Sequence, residues 1–418
     1  MPRVVVTGLG LVCPLGNTVP QALQSALRAE SGIRRCDDLL WGRHGDGLRC
    51  RIGGTVEGFD PRAHLPARWA EEYDPSVTFA LAAAREAIEQ SALPVADSGE
   101  RVGVVIGTAG GGSRTWHRSL RRCFVDNEAH QLPGSLLLQL SSNIAAGLIS
   151  LDLGLRGPTF GVTDACASGG TAMANAADAI RLGRADAMVV GGTEAAIGLV
   201  TYGSMLSAGA MCPSDDPVGA CRPFSPGRQG LVMGEGAGVM VLERLDHAVA
   251  RGATIYGELA GEAMTSDAYH AYSPDPTGRS WARTMRLALE RAGVSPDEVD
   301  SISAHAASTP LGDRTEAAAI RQVFGDRAAH IPVAATKSQV GHGLGAGGAV
   351  ETVLALAALR EGFVLPTLHH TPDPQCPVNA APTARRHRTT VLLKNSFGFA
   401  GTNTSLVFRT LSAAEVTR

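Results

Sequence analysis

Cys166 stands in the stretch TDACASGG (163–170), after a short strand-like run and at the first turn of a helix that the spacing predicts over 171–182. A thiol there faces unpaired backbone N–H groups and the positive end of a helix, and both are expected to lower its pKa toward a reactive thiolate. Its neighbours are small and leave room for a substrate. Two histidines occupy comparable turns after strands: His305 in SISAHAASTPL (301–311) and His342 in TKSQVGHGLGAGG (336–348). Ringed by Ala, Gly, Ser and Thr, both can project into a cavity, and with the primed cysteine they make a nucleophile-plus-imidazole set. Asp313, Glu316 and Lys337 complete the charged set near these loops. Lys337, five residues before His342, is expected to pair with Glu316 and orient the loop rather than act as a base.

Glycine-rich loops raise the alternative of phosphate binding. Gly8-Leu9-Gly10 follows a strand-like run, but Cys13 occupies the third glycine position of the dinucleotide fingerprint. The glycines at 107–112 and 341–348 lack the Gly-Lys-Ser/Thr ending that would reach phosphates and magnesium. They are expected to serve turns and close packing.

The chain has 418 residues, 44% hydrophobic but only 5% aromatic, with 50 glycines, which suits a closely packed α/β enzyme. A formal charge of -3 argues against a nucleic-acid binder. No apolar run reaches the roughly 20 residues of a membrane span. The first ten residues lack the features of a signal peptide. A soluble, cytoplasmic protein without membrane or nucleic-acid partners is expected. The eight cysteines show no C-x-x-C pair, so neither a metal site nor a disulfide framework is expected.

The elements that must position the reactive groups follow from the pattern. Strands are expected at 4–7 and 101–106, with a helix over 76–90 between them. The segment 109–133, with Arg114, Arg118, Arg121 and Arg122, reads as polar and irregular, part of an insertion over about 109–143 that forms a lid or partner surface. Strand, turn, helix and strand at 160–162, 164–170, 171–182 and 187–190 recur in the same order at 331–334, 336–348, 349–359 and 391–393. The glycine pairs Gly169-Gly170 and Gly347-Gly348 open the two helices. This is an internal duplication. Residues 1–250 form a half carrying the cysteine, and residues 251–418 a half carrying both histidines. Sites in such layered α/β folds lie at the carboxyl ends of strands, so the halves are expected to share one active site.

Taken together, DACASG (164–169), AHAASTPLGDRTE (304–316), TKSQVGHGLGAGG (336–348) and NSFGFAGTN (395–403) resemble the β-ketoacyl-acyl-carrier-protein synthases, the condensing enzymes of fatty-acid and polyketide assembly. VVTGLG (5–10), RPFSPGRQGLVMGEGAGVMVLE (222–243) and SDAYHAYSPDPTG (266–278) extend the resemblance over nearly the whole chain. It implies the thiolase fold, a duplicated five-layer α/β/α/β/α arrangement. It also implies decarboxylative Claisen condensation of an acyl group on Cys166 with malonyl-acyl carrier protein, His305 and His342 acting as hydrogen-bond donors. The N–H groups of Cys166 and Phe399 would form the oxyanion hole, Phe399 a gate, and Thr309, Tyr272 and Phe397 substrate contacts. Lys337, Glu316 and Asp313 would support the histidine loops. No cofactor is implied, since substrates arrive on the phosphopantetheine of acyl carrier protein. The implied partners are that carrier protein and either a second copy or a chain-length-factor-like subunit, with 143–156 at the dimer interface. Arg62, Arg68, Arg114, Arg118, Arg121 and Arg122 are candidates for docking the acidic carrier.

Four departures stand out. Ala306-Ala307 follows His305 where Gly-Thr is usual, Tyr272 replaces a small polar residue, Asp164 a threonine and Ala400 a glycine. A carboxylate at 164 pointing inward would oppose thiolate formation. The altered loop after His305 inclines the reading toward type II polyketide or polyene assembly, with housekeeping fatty-acid elongation as the alternative. A non-catalytic chain-length factor is disfavoured by the intact Cys166, His305 and His342. A thiolase is disfavoured because no second cysteine lies near 395–403.

Overall fold

A computed structural model describes residues 1–95, 99–412 and 415 of the chain. The β-branched, glycine-punctuated run VVVTGLGLV forms strand β1 (Val4–Val12), buried along its whole length. A strand apolar on both faces needs cover on both faces, and this sets the layered architecture. β1 is followed by β2 (Val102–Gly107), β3 (Thr159–Val162), β4 (Ala187–Glu194) and β5 (Gly236–Arg244). In space the order is β3-β2-β4-β5-β1; β3, β2 and β4 run parallel, and β4, β5 and β1 antiparallel.

The rest of the chain repeats this plan. Strands β6 (Gly257–Ser266), β7 (Ser301–Ser303), β8 (Val333–Ala334), β9 (Val391–Phe397) and β10 (Thr402–Arg409) take the order β8-β7-β9-β10-β6. Again the first three in that order are parallel and the last three antiparallel. The two sheets touch where Val5 and Val6 of β1 pair with Glu258 and Gly257 of β6.

Helix α1 (Pro75–Ser91) covers the outer face of the first sheet, its start fixed by Asp74, whose side chain accepts the Ser76 N–H, and by Pro75 in the first turn. Helices α2 (Ser113–Phe124) and α3 (Ile144–Leu153) lie beyond it in sequence. Helix α4 (Ser168–Arg181) packs on β2 and β4 and also reaches β6 and β10 of the second sheet. Helix α5 (Arg279–Ala292) covers the second sheet, and α6 (Pro310–Phe324) packs against α5. Helix α7 (Gly347–Arg360) packs on β4 and β5 of the first sheet and on β9 of the second. α4 and α7 thus form the middle layer, and the whole is the duplicated five-layer thiolase fold. Nearly every residue of α7 is buried, as a helix between two sheets requires. Among the described residues no helix is long and apolar enough to cross a membrane.

Two expectations are corrected. The segment 109–133 is not irregular throughout, because α2 occupies Ser113–Phe124. Its Thr115 is satisfied inside: the Thr115 N–H donates to Asp74 at 2.7 Å and its hydroxyl lies 3.2 Å from Gln139 Oε1. The stretch 336–348 is not simply a turn, since Lys337–Val340 forms one helical turn, fully buried.

The paired glycines near the start also find a reason. A Cβ on Gly8 would stand 2.1 Å from the Ala87 carbonyl oxygen, and one on Gly10 1.8 Å from that of Ala83. They let α1 lie directly on β1. Gly10→Ala is expected to destabilise the fold by about 1–3 kcal/mol or more through overpacking, read as a lowered midpoint of thermal unfolding.

Candidate active site

One cavity, of about 220 Å³, is lined by Cys166, His305, His342, Phe397, Phe399, Tyr272 and Thr309, drawing on both halves of the chain. Cys166 sits between the end of β3 and the start of α4 on a turn held by Ala165, whose φ of 46° is left-handed. The turn is closed by hydrogen bonds from the Ala167 N–H to the Asp164 carbonyl at 3.0 Å and from the Ser168 hydroxyl to the Ala165 carbonyl at 2.6 Å. Cys166 is only 6% exposed. The backbone N–H groups of Phe399 and of Cys166 itself favour the thiolate form of the thiol.

The thiol's acidity is the opposite of what its place in the sequence suggests. Burial pushes Cys166 up to about 11, outweighing the positive charge of Lys337 and the Phe399 N–H. Asp164 adds no inward charge: its Oδ2 accepts the Thr171 hydroxyl at 2.6 Å, and that hydroxyl lies 3.0 Å from Thr404 Oγ1.

His305 follows β7, and its backbone is clamped on both sides. The N–H groups of His305 and Ala306 donate to Glu316 of α6 at 2.9 and 2.7 Å, while Lys337 Nζ donates to the His305 carbonyl at 2.6 Å. The His342 N–H donates to the Val232 carbonyl at 2.7 Å, and its own carbonyl accepts the Gly234 N–H at 2.8 Å. Leu344 N–H donates to His342 Nδ1 at 3.2 Å, so that nitrogen carries no proton and Nε2–H is the free donor. The two rings stand edge to face, 5.3 Å apart at 80°. Burial and the Lys337 ammonium hold both imidazoles well below their ordinary range, so both are neutral near pH 7.

The expected pairing of Lys337 with Glu316 is not made. Lys337 Nζ lies 2.5 Å from Glu351 on α7, and Glu316 is turned to the His305 loop and to Asn395 Nδ2 at 3.2 Å. Glu351 meets a second lysine, Lys394 of β9, at 2.8 Å. Both residues are missed by motif reading, although each is a lone charge in an apolar run, AVETVLALAAL and VLLKNSF, a pattern that marks a buried ion. Asp313 anchors the segment after β4, accepting the Phe224 N–H at 2.8 Å beside Arg228, and burial pushes it up to about 7. Glu194, at the end of β4, accepts the N–H groups of Ala109, Gly110 and Gly345 at 2.8, 3.1 and 3.2 Å, which ties the glycine turn of the first half to the His342 loop. Burial pushes it up to about 7.

Thr309 caps α6, accepting the Gly312 N–H at 3.2 Å while facing the cavity. Phe397 stacks on Trp281 at 3.9 Å and lies 5.9 Å from the His305 ring. Phe399 meets Tyr272 edge to face at 5.9 Å, and Tyr272 is 65% exposed at the cavity rim. Ala400 adopts a φ of 60°, where glycine is at ease and alanine is strained, and its N–H donates to the Ala271 carbonyl at 2.8 Å. Of the surface arginines, Arg62 and Arg68 pair with Glu71 and Glu72 in the open, whereas Arg114 turns inward onto buried Glu235 and is not available to a partner.

Residues 1–248 match the family model for the N-terminal domain of β-ketoacyl synthases, and residues 256–371 match that for the C-terminal domain. A 3-oxoacyl-[acyl-carrier-protein] synthase 2 of Staphylococcus aureus strain N315 is 37% identical over 417 residues, covering 98% of this chain and 99% of that protein. Among solved structures, a type II PKS ketosynthase in complex with its acyl-carrier protein and bound to the hexaketide superposes with a TM-score of 0.89 at 32% identity, over 99% of this chain and 100% of that one. The ishigamide ketosynthase/chain length factor does so with a TM-score of 0.90 at 32% identity, over 98% and 100%.

The buried thiol has a measurable signature. With Cys166 near 11, its alkylation by iodoacetamide, followed by mass spectrometry, should rise about tenfold per pH unit from about pH 7 to pH 10 without levelling. Lys337 favours the thiolate, so Lys337→Met should slow alkylation at every pH in that range.

Proposed function

The chain belongs to the β-ketoacyl synthase family, and we propose that Cys166, His305 and His342 divide the work of its decarboxylative Claisen condensation among them. The protein is an acyltransferase that forms carbon–carbon bonds. The observation that carries the assignment is that one cavity gathers the thiol, two neutral imidazoles and the backbone N–H groups at the sulfur.

In the first half-reaction Cys166 attacks the carrier thioester, its proton leaves with the carrier thiol, and the acyl group becomes a cysteine thioester. The N–H groups of Cys166 and Phe399 hold the oxyanion of the tetrahedral intermediate. In the second, the malonyl thioester loses CO2, and the electron pair of the broken carbon–carbon bond moves onto an enolate. His342 Nε2–H and His305 donate to the enolate oxygen. Because both rings are uncharged, neither adds a cation beside the malonyl carboxylate to stabilise it before it leaves. The carbanion attacks the acyl-Cys166 carbonyl, and the cysteine thiolate departs and takes up a proton. Thr309 and Phe397 contact the pantetheine arm and acyl chain, and Tyr272 and Phe399 close the mouth. Lys337, Glu316 and Asp313 hold the loops. No cofactor is needed beyond the phosphopantetheine on the substrates' carrier.

The partners follow the same reading. We assign acyl carrier protein as the substrate carrier, docked through Arg62, Arg68, Arg118, Arg121 and Arg122, with Arg114 removed from that set. A second copy or a chain-length-factor-like subunit covers the open edge strand β3, where Phe160 is 38% exposed beside Leu151 of α3 at 68%. All eight cysteines are free, which suits the reducing cytoplasm. The type II PKS and ishigamide neighbours support polyketide assembly as the pathway. The 37% identity to a 3-oxoacyl-[acyl-carrier-protein] synthase 2 favours the alternative of fatty-acid elongation.

Purified protein incubated with acyl- and malonyl-loaded carrier protein should yield the β-ketoacyl product, and Cys166→Ala should abolish it. His305→Ala and His342→Ala should each slow malonyl decarboxylation by about a hundredfold or more, since such a donor is worth on the order of 3 kcal/mol. Product that forms without Cys166 would sink the assignment. Charge reversal at Arg118 and Arg121 should weaken carrier-protein binding, measured by titration, while leaving Cys166 alkylation unchanged.

A further inference from the structure

Four charged side chains lie buried behind the two imidazoles, and only two of them, Glu316 and Lys337, sit where the motifs lead one to look. Glu316 accepts the N–H groups of His305 and Ala306, and Asn395 Nδ2 at 3.2 Å. Glu351 takes Lys337 on one oxygen at 2.5 Å and Lys394 on the other at 2.8 Å. The exposures of the Lys337, Lys394 and Glu351 side chains are 2%, 1% and 0%. Glu316 is 1% exposed. The set is balanced, two carboxylates against two ammonium groups. A buried charge left without a partner is among the costliest features a core can hold.

Lys394 is the member with no contact to either histidine loop. It lies in the interior of β9, and its ammonium reaches only Glu351 and the carbonyl of Asn395, the residue that also bonds Glu316. Without it, two buried carboxylates would share one lysine, and the excess negative charge would draw a proton. The sites that can take it are the two carboxylates themselves and the imidazoles. Each such event disturbs the site. A protonated Glu316 loses an acceptor for one of the two N–H groups that place His305. A proton on His342 Nδ1 meets the Leu344 N–H head-on. The other groups facing the histidines are their own partner ring, Cys166 across the cavity, Asp313 beyond Glu316 with its Arg228, and Glu194 beneath the His342 loop. None of these replaces the missing positive charge. Lys394 also acts on both rings through space in the required sense, its charge opposing imidazolium formation.

We propose that Lys394 is a positioning residue of the condensation site, a fourth buried charge that balances Glu316 and Glu351 and keeps both histidines as neutral hydrogen-bond donors. The inference rests on the condensing function described above. It extends that function to a residue remote from the substrate.

The test is the pH profile of malonyl-carrier-protein decarboxylation for the wild type, Lys394→Met and the double variant Lys394→Met/Glu316→Gln, with Cys166 alkylation as the check on folding. In Lys394→Met the acid limb should move up by about one pH unit, so that activity near pH 6 falls about tenfold further than activity near pH 8. The double variant restores the charge balance, and its acid limb should return toward the wild-type position even if its rate stays lower. An acid limb that does not move, a loss equal at every pH, or a double variant that keeps the shifted limb would each overturn the inference. If Lys394→Met alone does not fold, the double variant decides: folded with a wild-type limb it supports the assignment, and unfolded it overturns it. A wild type inert toward malonyl carrier protein would instead remove the functional reading itself.

Discussion

The positions of the reacting groups depend on how closely two helices approach at the centre of the molecule. A Cβ on Gly169 of α4 would lie 3.0 Å from the Ala349 nitrogen of α7 and 3.0 Å from the Gly345 carbonyl oxygen, and a Cβ on Gly238 of β5 would lie 2.6 Å from the Ala349 carbonyl carbon. Any larger residue at these places would push the middle layer apart. α4 begins two residues after Cys166 and α7 five residues after His342, so the contact between the helices is also the contact between nucleophile and imidazole. The duplication has a chemical use: each half supplies one helix start, and the cavity forms where they meet.

Enclosure at that junction then governs the charges. One cause, removal of water, pushes the thiol up, pulls both imidazoles down and raises Glu194 and Asp313 toward neutrality. The result is a site whose reacting groups are uncharged at rest, set on a bed of balanced ions. This suits a reaction in which the negative charge of a carboxylate passes to an enolate and then to a departing thiolate, which is discharged by a proton from solvent. Donors fixed in place by backbone hydrogen bonds, at His305 through Glu316 and at His342 through Leu344, need no reorganisation when that charge appears. At the cavity mouth Phe399 rests against exposed Tyr272, and the loop behind it holds Ala400 in a left-handed conformation that strains an alanine backbone.

Much of this was legible in residue order. The strand-turn-helix-strand repeat locates both central helices to within a few residues, and the small residues around Cys166, His305 and His342 mark the cavity. The failures share a form. α2 went unrecognised because Thr115, His117 and Ser119 are polar yet buried, Thr115 bonded to Asp74 and Gln139, His117 to Thr201 and Ser119 to its own helix. Arg114 read as a surface charge because its partner Glu235 lies 121 residues away. Lys337 was matched with Glu316, nearer in kind and motif, when Glu351 on the facing helix is the residue it meets.

Residue types and their spacing were enough to specify the class of chemistry, the twofold repeat and the three groups at its centre, since all of these rest on local pattern and on motifs that survive in linear order. Which carboxylate each lysine meets, whether Asp164 faces the thiol, and the protonation of Cys166 and the histidines emerged only from the folded chain. Ion pairing and acidity follow distance and access to water, and those are properties of packing between segments that lie far apart along the chain.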